Sequence, residues 1–201
     1  MKIIFQKQKS RGFSLVELLV AVLVFSLMIV EISGIFVSGM KNQRYSLAAQ
    51  QLLDQTSYSL EFMGRALRMA RKETDAVSGD CLSANGKNYE VNVDNTSIRF
   101  INHLENDDCQ RFYWDSSEKK LKFQRKILVP WPDEPETFDL TSKKIEVTKL
   151  KFLLDGELET DSFQPRVTVL MEMKWKEKAG EEALIKIQTT VSQRNLDITY
   201  Y

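Results

Sequence analysis

A long apolar segment near the amino terminus constrains the fold of this chain more than any other feature. Residues 13–40 contain only two charged side chains, Glu17 and Glu31, and no lysine or arginine. As an α-helix the segment would be about 42 Å long, whereas the hydrocarbon core of a bilayer is about 30 Å thick. The sequence therefore predicts a membrane-spanning helix over residues 13–40.

The charges that flank this segment predict its direction in the membrane. The residues before it contain four basic side chains and no acidic one: Lys2, Lys7, Lys9 and Arg11. Only Lys41 and Arg44 closely follow it. Because basic residues stay on the cytoplasmic side of a span, we expect a single-pass inner-membrane protein. Its amino end would be cytoplasmic, and the bulk of the chain would be periplasmic or otherwise extracytoplasmic.

Hydrophobicity alone leaves the type of membrane segment open. Residues 37–39 would make a poor cleavage site for an ordinary secretory signal, and an uncleaved anchor is an alternative. Glu17 carries more information, because a carboxylate within a membrane helix costs up to about a few kcal/mol and is a functional candidate. The simpler interpretation places Glu17 at the headgroup level, where its side chain reaches water.

The residues around Glu17 form a recognisable pattern. A short basic leader ends in Gly12, Phe13 follows, and Glu17 is the fifth residue counted from Phe13. This pattern resembles the class III leader of type IV pilin-like prepilins, and the resemblance covers residues 1 to 40. It implies that residues 1–12 are a leader peptide. A prepilin peptidase would cut between Gly12 and Phe13 and methylate the new amine of Phe13.

The same resemblance assigns a role in assembly to Glu17. Its carboxylate would neutralise the amine of Phe13 in a neighbouring subunit as helices pack into a filament. The implied partners are other major and minor pilins or pseudopilins and an inner-membrane assembly platform. Inside a filament, such an ion pair would be much stronger than in water.

Residues 41–72 are predicted to continue the helix as an amphipathic segment. They contain no proline, and apolar or small residues recur at steps of three and four. This stripe consists of Tyr45, Ala49, Leu52, Thr56, Leu60, Met63, Leu67 and Ala70. The alternative is two helices broken near Gly34 and Gly39. Basic residues of the last turn would stabilise the end of the helix: Arg65, Arg68, Arg71 and Lys72.

Residues 73–201 are predicted to form an extracytoplasmic β-rich head. Apolar residues alternate with polar ones around Tyr89–Val93, 98–100, 112–114, 121–123, 145–154, 167–175 and 185–191, which is typical of strands. A bulge is expected between Val147 and Leu150. Residues 127–142 are expected to form an extended connection. A helix packed on a mainly antiparallel sheet makes an α+β protein, in keeping with the pilin-like fold that the leader implies.

The size of the head and the string at 189–196 make the chain most similar to a minor pseudopilin of the J type from type II secretion. Because the subunit at the tip of a pseudopilus typically lacks the acid found at Glu17, this chain is expected beneath the tip. One alternative is a type IV pilus minor pilin acting in pilus assembly, adhesion, motility or DNA uptake. Another is a non-polymerising, membrane-anchored sensor or binding domain.

Two cysteines in an extracytoplasmic head favour a disulfide. Cys81 and Cys109 are 28 positions apart, and bridging them would stabilise the fold by about 3 to 4 kcal/mol. The alternative is a cysteine nucleophile served by His103. We expect His103 instead at the surface, near the end of a strand.

Charged clusters in the head suggest further sites. One acidic group is Glu105, Asp107 and Asp108, and the other is Asp133, Glu134, Glu136 and Asp139. They are interpreted as solvated loops in preference to calcium sites, because neither has EF-hand spacing. A basic strand carries Lys119, Lys120, Lys122, Arg125 and Lys126, and it is interpreted as a solvated face or a contact for an acidic partner.

Composition excludes several functions. The chain has 28 basic and 28 acidic residues, so it lacks the net positive charge typical of nucleic-acid-binding proteins. One histidine and two cysteines are too few for a Cys/His zinc site. The sequence contains no GxSxG, HExxH, P-loop or GxGxxG motif. We therefore expect no enzymatic activity, no cofactor or metal, and no nucleic-acid partner.

Overall fold

A computed structural model describes residues 12–74, 81–105, 107–126, 135–156, 163–176 and 183–194. The chain divides into two compact units, Met1–Arg44 and Tyr45–Tyr201. We call them the first and the second unit.

One helix dominates the described residues of the first unit and continues into the second. Helix α1 extends from Leu15 to Arg68 and includes both Gly34 and Gly39, so the alternative of two helices broken there is wrong. The last turn tightens where the N–H of Met69 donates to the carbonyl of Ala66 at 3.1 Å. The chain then enters a short strand, so the predicted helix over residues 13–72 is slightly too long.

The first unit leaves its apolar side chains exposed. Every described residue from Gly12 to Arg44 is exposed. The most apolar 18-residue window of α1 has a mean hydropathy of 2.7, and none of it is buried. This amino-terminal helix fits a membrane anchor, because it is long and apolar enough to cross a bilayer.

The second unit contains two antiparallel sheets in its described part. Their strands are β1 (Ala70–Arg71), β2 (Glu90–Val91), β3 (Ser97–Asn102), β4 (Asp108–Asp115), β5 (Lys120–Lys126), β6 (Glu136–Asp139), β7 (Ile145–Asp155), β8 (Arg166–Trp175) and β9 (Leu184–Ser192). The larger sheet has the order β1-β3-β4-β5-β6, with β2 also paired to β3, and the smaller sheet has the order β7-β8-β9. A 3₁₀ helix, His103–Glu105, follows β3.

The core of the second unit lies between one stripe of α1 and the sheets. Leu52, Met63 and Leu67 are almost completely buried, and they share one hydrophobic cluster with Phe112 and Phe152. Burying a leucine of this kind contributes about 1.5 to 3 kcal/mol. The predicted amphipathic stripe is therefore confirmed over most of its length.

The strongest strand predictions are confirmed. Strands β8 and β9 pair along their whole length, and alternate β8 residues from Val167 to Trp175 are buried. Between Val147 and Lys149 the pairing of β7 with β8 shifts by one residue, where the sequence predicted a bulge. The turn predicted between β8 and β9 lies outside the described residues.

Three details of the prediction are wrong. Tyr45 is 47% exposed, because burial along α1 begins only at Ala48. Val93 is 99% exposed, because it belongs to the turn between β2 and β3, in which Asn95 has a φ of 58°. The predicted connection 127–142 contains strand β6, which extends the larger sheet, while residues 127–134 lie outside the described part.

Candidate functional site

The start of helix α1 is open to its surroundings. Phe13 is 82% exposed, and residues 12–14 precede the helix. A Cβ atom added at Gly12 would meet no heavy atom of the structure within 4 Å. Packing in the described chain therefore gives no reason for glycine at this position.

Glu17 lies in the first turn of α1 and is exposed. The N–H of Leu18 donates to the carbonyl of Ser14 at 3.2 Å, which begins the helical hydrogen bonding. A carboxylate at this end of a helix gains about 0.3 to 1 kcal/mol from the helix dipole. No ion pair to Glu17 is formed by the residues that the structure describes. Its charge is thus available to a cation from outside the chain.

The other polar groups of the apolar segment are largely satisfied within the helix. The hydroxyl of Ser26 donates to the carbonyl of Val22, and that of Ser33 donates to the carbonyl of Ile29, both at 2.7 Å. Such bonds let serine enter hydrocarbon without an unpaired donor. The ionisable groups that remain between residues 13 and 40 are Glu17 and Glu31.

Comparison with known families decides what this amino terminus is. The family described as the prokaryotic N-terminal methylation motif matches residues 7–30, which include Gly12, Phe13 and Glu17. The chain carries the amino terminus of a type IV pilin-like prepilin. This prepilin motif implies processing by a prepilin peptidase and assembly with other pilins. No curated protein and no solved structure matches the chain at a significant level.

The fold agrees with this family. A long apolar helix at the amino terminus of the prepilin is followed by antiparallel sheets, which is an α+β, pilin-like architecture. The fold class predicted from the sequence is therefore confirmed. The prediction of a single, mainly antiparallel sheet was less complete, because the strands divide between two sheets.

The two cysteines of the prepilin form a disulfide. Cys81 and Cys109 are bonded to each other, with their Cα atoms 5.5 Å apart, and both are buried beside Leu82 and Ile101. A bonded sulfur is not a nucleophile, so the structure contradicts the alternative of a reactive cysteine. His103 is exposed at the end of β3, as predicted, and its Nδ1 lies 3.1 Å from Oδ1 of Asp107.

The basic strand β5 is neutralised by acids of the same chain. Lys122 lies 2.8 Å from Asp115, Arg125 lies 2.7 Å from Glu136, and Lys120 contacts Glu118 at 3.2 Å. The hydrogen bond between Asp115 and Lys122 lowers the pKa of Asp115 and raises that of Lys122. These pairs favour a solvated sheet face over a phosphate-binding surface.

Most described residues of the two predicted acidic clusters likewise form ion pairs with basic residues of the same chain. Asp107 pairs with Arg71 at 3.1 Å, and Asp139 contacts Lys120. Glu136, as noted above, pairs with Arg125. No group of three or more potential metal ligands occurs among the described residues, and Asp133 and Glu134 lie outside them. Asp108 differs, because it is buried, its Oδ1 lacks a hydrogen bond among the described groups, and burial raises its pKa to about 6.

One feature of the second unit has no signal in the local sequence. A cavity of about 830 Å³ has four arginines in its wall, and we call it the arginine-rimmed cavity. The arginines are Arg65, Arg68, Arg125 and Arg194. Only Arg65 and Arg68 are close in sequence, and the sequence explained both as basic residues that stabilise the carboxyl end of the helix. No local pattern could have brought Arg125 and Arg194 to the same place.

Proposed function

We propose that this prepilin is a minor subunit of a type II secretion pseudopilus that assembles near, but beneath, the filament tip and acts without catalysis. The observation that carries the proposal is an exposed Glu17 on a bare apolar helix, within the residues that the methylation motif matches. Both the carboxylate and the apolar side chains need partners that the chain itself does not supply. Neighbouring subunits would supply both.

Leader cleavage would create the cation that Glu17 requires. Cutting between Gly12 and Phe13 frees an amine four residues before Glu17, which corresponds to about 6 Å along a helix. Methylation leaves such an amine positively charged. In a filament core, an unpaired charge would be costly, whereas the pair formed between neighbours is favourable because the medium is weakly polar. Pairing would therefore select subunits that are both processed and correctly staggered.

The location of the second unit follows from the same proposal. The four basic residues before Phe13 favour a cytoplasmic amino end and a periplasmic second unit. The disulfide between Cys81 and Cys109 supports this orientation, since disulfides persist in oxidising compartments. On assembly the protein would pass from the inner membrane into a periplasmic filament.

The proposal is tested with Glu17→Gln and a matched control, Glu31→Gln, each expressed in a native host that lacks the wild-type gene. Glu31 is a second carboxylate of the same helix, about 27 Å beyond Phe13 and so near the far headgroups. We expect both variants to be cleaved normally. Incorporation into the filament, measured by chemical cross-linking to neighbouring subunits in whole cells followed by quantitative immunoblot, should fall about tenfold or more for Glu17→Gln, because the core then holds an unpaired amine. It should fall much less for Glu31→Gln.

Three outcomes would contradict this proposal. Wild-type incorporation of Glu17→Gln would remove the assembly role of Glu17. Loss of pili, twitching or DNA uptake in the deletion strain, with normal protein secretion, would assign the protein to a type IV pilus. A retained leader in a host with an active peptidase would favour a permanent membrane anchor.

A further inference from the structure

The arginine-rimmed cavity combines apolar lining residues with an excess of positive charge. The apolar residues include Phe62, Met69, Leu104 and Phe123, and the acidic residue among the described lining residues is Glu105. We propose that this cavity binds an acidic, partly apolar peptide segment of a partner protein. The inference goes beyond the assembly role of Glu17 and requires neither leader cleavage nor filament formation.

The apolar lining is anchored in the core, and the cavity is large enough for side chains of a ligand. The ring of Phe62 packs edge-on against Phe123 and Phe112, with centroids 5.3 and 6.0 Å apart, which fixes its position in the core. Leu104 is 70% exposed, so a ligand that covers this side chain would remove apolar surface from water, which favours binding. The volume of about 830 Å³ lies within the range of about 300 to 1,000 Å³ that is typical of ligand sites.

The rim holds guanidinium groups without strong partners of their own. The N–H of Arg194 donates to the carbonyl of Arg68 at 2.7 Å, so the backbone holds these two residues together. Neither forms an ion pair with a described residue. Arg65 has only a contact of 3.9 Å with Glu61, and both side chains are more than 60% exposed, so this pair contributes little.

Arg125 differs from the other three because Glu136 already binds it at 2.7 Å. The available positive charge therefore comes mainly from Arg65, Arg68 and Arg194. Arg65 and Arg68 belong to the last turn of α1, and Arg194 follows β9, so two segments far apart in sequence contribute to the same positively charged surface.

The chemistry of the rim favours carboxylates. A guanidinium group binds a carboxylate through two parallel hydrogen bonds, and such charged bonds contribute about 1.5 to 3 kcal/mol. Three cations beside an apolar lining match a peptide that carries both acidic and large apolar side chains.

The test uses the full chain in detergent micelles and a fluorescein-labelled short peptide of alternating glutamate and leucine. Binding is followed by fluorescence anisotropy. Arg68→Gln and Arg194→Gln should each weaken binding about tenfold or more, which corresponds to the loss of one charged hydrogen bond. The control Arg166→Gln removes the same charge from an exposed residue that pairs with Asp155, outside the cavity, and should leave binding unchanged.

Control peptides separate the contributions of charge and apolar surface. Replacing glutamate by lysine should abolish binding, and replacing leucine by serine should weaken it. Thermal melts of each variant establish that a loss of binding does not come from unfolding.

Four results would overturn the inference. Absence of peptide binding to the wild-type chain would do so directly, and equal weakening by Arg166→Gln would reduce the effect to overall charge. Binding of phosphatidylglycerol vesicles, with no binding of the peptide, would make the ligand a lipid. If the peptide bound only after removal of residues 195–201, the cavity would belong to a segment of the same chain.

Discussion

The two parts of helix α1 show opposite relations between side chains and their surroundings. From Leu15 to Arg44 every residue is exposed, although most are apolar. From Ala48 to Leu67 one stripe is buried by the second unit. A long, continuous apolar surface of this kind marks contact with lipid or with another protein, unlike single exposed apolar side chains. The first part of α1 therefore fits a membrane or protein environment, whereas the second part stabilises the fold of the second unit.

Polar groups show the same contrast. In the second unit the hydroxyl of Tyr89 donates to the carbonyl of Leu67 at 2.7 Å, and the indole N–H of Trp114 donates to the carbonyl of Val147 at 3.0 Å. Both partners lie within the chain. Glu17, in the first unit, has no such partner in the described structure. Under the proposed function, this carboxylate finds its partner in a neighbouring subunit.

The largest effect is expected at Gly12. Gly12→Val should abolish leader cleavage while the melting temperature of the second unit stays unchanged, because a side chain at this position meets no atom of the fold. Electrophoresis and mass spectrometry of the membrane fraction measure the cleavage. Gly34→Val is the matched control, since Gly34 is also surrounded by open space, and this variant should be cleaved normally.

A large effect on stability is expected at Leu52, which is fully buried in the second unit. Leu52→Ala should lower the free energy of unfolding by about 2 to 5 kcal/mol, because it leaves a cavity in the core. Urea titration followed by tryptophan fluorescence measures the change. The neighbouring Leu53 is 53% exposed, and Leu53→Ala should cost less than about 1 kcal/mol. Equal costs at the two positions would contradict the described packing of α1.

The disulfide should contribute about 3 kcal/mol or slightly more to the second unit, because Cys81 and Cys109 close a loop in the unfolded chain. The double variant Cys81→Ala/Cys109→Ala should lose this stability and become insensitive to reductant. Urea titrations with and without dithiothreitol measure both properties. A wild-type chain that is equally stable in the reduced form would exclude a stabilising bridge. Leader cleavage should be normal in every case.

A smaller, pH-dependent effect is expected at Asp108. Burial raises the pKa of this carboxyl from 3.8 to about 6, so ionisation destabilises the folded state. The penalty is absent at low pH, develops between about pH 4 and pH 6, and is complete above that range. Asp108→Asn should therefore raise the melting temperature at about pH 8 and have little effect at about pH 4. The same shift at both pH values would contradict the assignment.

Much of the fold was predictable because its signals are local. Strict alternation from Val167 to Trp175 identified β8, and the change of phase between Val147 and Leu150 identified the bulge of β7. Similarly, the leader was readable because Gly12, Phe13 and Glu17 are close in sequence. A membrane helix and a short peptide motif depend little on tertiary contacts.

The remaining features depend on long-range packing. Strand β6 was missed because it is an exposed edge strand after Pro135, where no alternation of burial marks the sequence. The division into two sheets and the grouping of Arg68 with Arg194 require contacts between residues far apart in the chain. Only the folded structure brings them together.

The most direct test of the account is the intact mass and the amino-terminal peptide of the protein recovered from membranes of its native host. We predict a chain that begins at Phe13 and carries one methyl group on its new amine. That result would establish that a prepilin peptidase cleaves the chain after Gly12 and methylates Phe13. A chain that retains residues 1–12, in cells where the peptidase processes another prepilin, would contradict the central claim.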